Sequence, residues 1–89
     1  MTPQMSQTSV DQDPFLSLDD VRQGTICIVR ALHSQGAVRQ RLMDMGVVPK
    51  SQVTVVRSAP LRDPIEIQIG EAFVAIRRTE ARAVEVDYV

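Results

Sequence analysis

The 89-residue chain balances ten Lys and Arg against eleven Asp and Glu, for a formal charge of −1. That balance excludes a strongly basic nucleic-acid binder, and the length admits one domain with a single modest core. Aromatic residues amount to 3% of the chain, so the core must be aliphatic and a stacking platform for single-stranded nucleic acid is excluded.

The charge is unevenly spread. Residues 21–62 hold seven bases and one acid, while the flanking stretches are acidic. This asymmetry suits an acidic partner as well as it suits a mixed solvated surface. No apolar run approaches the ~20 residues that span a bilayer, and the N-terminus has neither a basic nor an apolar leader region. A cytoplasmic location with no direct membrane insertion is therefore expected. Cys27 is the only cysteine; it lies in a strand pattern, and the expectation is a buried thiol.

Residues 1–14 are polar and without period, and read as a flexible tail; residues 15–89 read as the domain. Ser17 is placed to cap a short turn through Val21 that carries Asp19 and Asp20, and Gly24 ends it. Thr25–Leu32 is expected as the first strand, with Ile26 and Ile28 on one face and Cys27 and Val29 on the other. Both faces are largely apolar, as in a small barrel or a strand covered on both sides. The one convincing helix begins near Ala37. Val38, Leu42 and Met45 share a face at i, i+4 and i+7, Gly46 supplies the left-handed stop, and Val47 folds back on the last turn. Pro49 prevents the helix from resuming.

Gln52–Ser58 alternates as a second strand, followed by a loop bracketed by Pro60 and Pro64. Ile65, Ile67 and Ile69 define a third strand, and Gly70-Glu71 is a tight-turn candidate leading into a fourth, Ala72–Arg77. Thr79 is expected to cap one helical turn, and Ala83–Tyr88 to form a fifth strand. Phe15, Phe73 and Tyr88 are expected in the core or at its rim. The fold class is mainly β with one helix, a small five-stranded barrel that is closed or nearly so.

Catalysis is not supported by these residues. His33 is the only histidine, and the carboxylates follow no ligand loop, so neither a metal site nor a cofactor is expected. No phosphate loop or nucleophile motif is present. Protein binding fits better. Met43 lies beside Arg39 and Asp44, away from the Leu42 stripe, as an adaptable contact residue. Pro60, Leu61, Arg62 and Asp63 form a stiffened loop that loses little freedom on docking. A plain strand connection with Leu61 folded under is the competing reading of that loop.

The run RLMDMGVVPKSQVTVVRSAPLRDPIEIQI, followed by FVAIRRTEARAVEV, resembles the FeoA family, small cytoplasmic accessory proteins of bacterial ferrous-iron uptake. The resemblance rests on Leu18, Gly24, Arg41-Leu42, Met45-Gly46, Ala59-Pro60, Asp63-Pro64-Ile65, Ala75-Ile76-Arg77 and Glu80-Ala81 in that order. It implies an SH3-like barrel with a helical insertion, and a function exercised by binding the large GTPase-coupled membrane permease FeoB and not by carrying iron itself. Lys50 stands where the family pattern often has Gly, and Arg62 where Gly usually precedes Asp-Pro. The alternative is a metal-responsive regulatory module akin to the C-terminal domain of iron-dependent repressors, for which transition-metal binding would be expected. A weak homo-oligomer built on Met43 and Leu61 is a third option.

Overall fold

The computed structural model describes residues 15–58 and 63–89. A 3-10 turn, Leu18–Asp20, precedes strand β1 (Ile26–Leu32) and helix α1 (Gly36–Asp44). Strands β2 (Gln52–Ser58), β3 (Ile65–Ile69) and β4 (Ala72–Ile76) follow, then the one-turn helix α2 (Arg78–Ala81) and strand β5 (Val84–Tyr88). The strands form one antiparallel five-stranded sheet in the order β4-β3-β2-β1-β5. Each strand pairs with its sequence neighbour except β5, which returns to lie beside β1.

Directly opposed residues of antiparallel strands share a face, so the register explains the core. Cys27 faces Val53, which faces Ile69; Val55 faces Ile67, which faces Val74; Val29 faces Val86. These rows, with Leu42, Val47 and Leu18, make the aliphatic interior. Two bulges, between Val29 and Ala31 and between Val55 and Arg57, break strict alternation. Such bulges add twist and help a short sheet to curl.

Among the described residues the opposite face of β1 is only partly covered: Ile26 is 42% exposed and Ile28 is half-buried. Phe73 and Tyr88 likewise differ from expectation: they are 57% and 60% exposed. Phe73 opposes Gln68, an outward position, and Tyr88 sits at the end of β5. Phe15 takes a rim position, stacked on His33 with centroids 4.3 Å apart.

The helix stop follows its sequence. Gly46 adopts φ +101°, its N–H donates to the Met43 carbonyl at 3.0 Å, and the Val47 N–H donates to the Leu42 carbonyl at 2.9 Å. That pair of bonds is a Schellman motif, and buried Val47 and Leu42 provide its apolar contact. Lys50 also takes a left-handed conformation, φ +81°, which accounts for the glycine expected there. Val38 departs from the expected stripe: it is 37% exposed, so Leu42 alone anchors the interior of the helix. The final turn begins at Arg78 instead of after Thr79. Its capping group is the Glu80 carboxylate, which accepts the Arg77 N–H at 2.9 Å.

Candidate functional site

Helix α1 is held at its C-terminal end and presents most of its length outward. Residues 36–41 are all exposed, and Leu42 is its single fully buried residue. A surface helix normally turns a broader apolar stripe to the core; here the packing is concentrated in Leu42, Met45 and Val47. Two i,i+4 contacts order its polar side. Arg39 reaches the Met43 sulfur at 3.4 Å, and the Gln40 amide donates to Asp44 at 2.9 Å. Met43 is half-buried and not fully exposed as anticipated, since the Arg39 guanidinium lies against its sulfur. Arg39 and Asp44 are exposed.

A contact missed in the sequence fixes the helix to the barrel. Arg41 forms an ion pair with Glu80, whose side chain is 8% exposed against 51% for Arg41. Glu80 therefore ties α1 to α2 while capping the latter. The signal available was a lone acid three residues after Arg77, which suits a capping position. Nothing in the spacing of Arg41 and Glu80 announces their meeting.

Asp63 is exposed, and its carboxylate accepts the Arg78 N–H at 3.1 Å. It thus accepts one of the first-turn N–H groups of α2, which have no acceptor within a helix. Pro60, Leu61 and Arg62, with which it was grouped, lie outside the described residues, as does the anticipated approach of Leu61 to Met43. The structure therefore brings Arg39, Met43 and Asp44 together on one helix and places Asp63 just before β3, bonded to the start of α2.

Other polar groups are engaged with one another. Asp19 pairs with Arg78 and, at 3.4 Å, with Arg82, beside a hollow of about 390 Å³ floored by Leu18, Val55 and Ile65. The His33 Nε2 lies 2.8 Å from Glu85, and Arg30 lies 2.5 Å from Asp87, whose hydrogen bond and charge raise the guanidinium pKa further. Cys27 is fully buried, and desolvation pushes its thiol up to about 11. Among the described residues, no three His, Cys, Asp or Glu side chains gather as a metal-ligating cluster, and no helix is long and apolar enough to cross a membrane.

The fold and surface define a small SH3-like β-module with a helix inserted between its first two strands. A FeoA domain model matches residues 16–88. The FeoA protein of Chlorobium tepidum is 35% identical, with a TM-score of 0.79 over 83% of this chain and 70% of that one. The FeoA of Stenotrophomonas maltophilia, solved with zinc and described as a prokaryotic SH3 domain protein, is 29% identical, with a TM-score of 0.71 over 81% of this chain and 89% of that one. A fusion of Fe(2+) transport protein A with the transporter FeoB, from Porphyromonas gingivalis, is 32% identical over 74 residues. That match takes in 83% of this chain and 9% of the fusion protein. The chain belongs to the FeoA family, a family of accessory proteins linked to ferrous iron transport. A manganese-dependent transcriptional repressor shares the fold, with a TM-score of 0.76 at 19% identity over 88% of this chain and 44% of that one.

Proposed function

We propose that this protein is a non-enzymatic cytoplasmic accessory factor that binds the cytoplasmic part of a FeoB-type permease and tunes ferrous iron uptake. The observation that carries the reading is the Porphyromonas gingivalis fusion, in which a FeoA segment and FeoB share one chain. Two partners that are covalently joined in one organism act at the same place, and this chain meets the same partner through its own surface. The exposed length of α1 is a suitable surface: a half-buried Met ringed by Arg39 and Asp44 gives an adaptable apolar centre with a polar rim. Pro60, Leu61, Arg62 and Asp63 remain in the proposed surface on the sequence argument.

Titration of the full chain against the purified cytoplasmic domain of FeoB, in both nucleotide states, tests the proposal. Saturable binding in either state is expected, and no binding in either overturns it. The regulatory alternative rests on the fold shared with the manganese-dependent repressor. It predicts tight iron(II) binding by calorimetry, while among the described residues no three His, Cys, Asp or Glu side chains gather as a ligand cluster.

A further inference from the structure

Beyond α1, one feature of the sheet stands unpartnered. The sheet ends at β4 and β5, and the two ends are treated differently. The β5 edge is covered: Ser17 bridges to Glu85, and the Val86 N–H donates to the Leu16 carbonyl at 2.9 Å. The β4 edge has no such cover among the described residues. Natural edge strands are commonly guarded by charge, proline or a bulge. Strand β4 is Ala-Phe-Val-Ala-Ile, with none of the three, and it pairs with β3 without a register shift.

The hairpin fixes which backbone groups are available. Ile69 faces Ala72 across the two-residue Gly70-Glu71 turn, so that pair exchanges hydrogen bonds, and so do the alternate pairs Ile67–Val74 and Ile65–Ile76. The N–H and C=O groups of Phe73 and Ala75 therefore point away from the sheet. Beyond them the Arg77 N–H is taken by Glu80 at 2.9 Å, which ends the edge. An open hollow of about 240 Å³ lies beside Ala75, between Arg41, Pro64 and Arg77.

We propose that β4 pairs with β4 of a second copy of this chain, antiparallel about a two-fold axis at Val74. This register sets Phe73 opposite Ala75 of the other copy and Ala75 opposite its Phe73. Each pair exchanges two backbone hydrogen bonds, so every outward donor and acceptor of the edge is used. The exposed Phe73 ring, 57% accessible in the single chain, covers a small Ala side chain and does not meet its own equivalent. The same register places Glu71 opposite Arg77 at both ends. Both residues are exposed, and among the described residues neither forms an ion pair. The edge is thus complementary to itself in hydrogen bonding, shape and charge, as a two-fold contact requires. Shifting the register by one pair in either direction loses the charge match and leaves one outward amide unused or opposed to the occupied Arg77 N–H. Five residues make a small interface, which gives a weak and reversible dimer. Arg41 of α1 lines the hollow beside this edge, whereas Arg39, Met43 and Asp44 do not.

Sedimentation velocity of the full chain from low micromolar to about 1 mM is the test, with three variants. Wild type should show a sedimentation coefficient that rises with concentration. Glu71→Arg should weaken association about tenfold, because the like-charge pair appears twice. Glu71→Arg combined with Arg77→Glu should restore it. Ala75→Pro removes an amide used only by the second copy and should leave a monomer. A wild type that stays monomeric to 1 mM overturns the proposal. So does a dimer indifferent to Glu71→Arg, or one that the charge swap fails to rescue. Failure here leaves the FeoB titration unaffected, since that reading rests on the Porphyromonas gingivalis fusion and not on the β4 edge.

Discussion

Replacing Gly46 by Ala probes the junction on which the placement of α1 depends. At φ +101° an L residue is strained by about 1–2 kcal/mol. A Cβ built there meets the Ile69 Cγ2 at 3.2 Å, so the end of β3 must give way, which adds up to about 1 kcal/mol. The stiffer unfolded chain returns about 0.4–1 kcal/mol. The net loss is about 1–2 kcal/mol, read as a fall of roughly 5–15 °C in Tm for a domain of this size. Gly70→Ala separates the two contributions. Gly70 has φ +61° and nothing within 4 Å of the added carbon, so only the backbone part, about 1 kcal/mol, should be lost. Lys50→Gly has the reverse sign for strain: relief of φ +81° is nearly cancelled by added unfolded-state freedom, and stability stays within about 0.5 kcal/mol of wild type. Urea denaturation of the four proteins gives the comparison. A Gly46→Ala variant no weaker than Gly70→Ala would refute the packing argument at Ile69.

Three further outcomes follow from buried or tethered groups. The Cys27 thiol, raised to about 11 by burial, keeps its proton where an unfolded thiol of pKa ~8.5 has lost it. The unfolded state then binds fewer protons than the folded one, so stability falls as pH rises from about 8.5 to about 11; a Cys27→Ala series of melts should lack that slope. Glu80→Ala should cost about 2 kcal/mol, since it removes both the acceptor for the Arg77 N–H and the partner of Arg41. Arg41→Ala, at a half-exposed position, should cost less than about 1 kcal/mol, and equal losses in denaturation would contradict the capping role. Met43→Ala should weaken FeoB binding about tenfold with a melting point near wild type, whereas loss of stability without loss of affinity would remove Met43 from the interface.

The strands were legible because their alternation survives in the core rows. Ile65, Ile67 and Ile69 read as a strand and form one, and Gly46 and Gly70 read as backbone reversals and take positive φ. The outer face differs from expectation for a physical reason: Ile26 and Phe73 have the side chains of core residues, and composition does not reveal that the described residues leave them exposed. Val38 was assigned to the core by helical spacing, yet α1 touches the barrel only near its end. Helical spacing makes Arg39, Met43 and Asp44 neighbours, and all three lie on α1. It could not show that Arg39 lies on the Met43 sulfur, or that Asp63 caps α2 across 15 positions of sequence. Long-range pairs such as Arg41–Glu80 leave no periodic trace, and they decide how the helix sits.

The claim that most needs testing is that α1 is the docking face. Amide chemical-shift mapping of the full chain during titration with the cytoplasmic domain of FeoB reads it residue by residue. The account predicts shifts concentrated in residues 36–45 and near Asp63, with the β4 amides of Phe73 and Ala75 unmoved. Saturable shifts confined to other strands, or none at a several-fold excess of the domain, would contradict it.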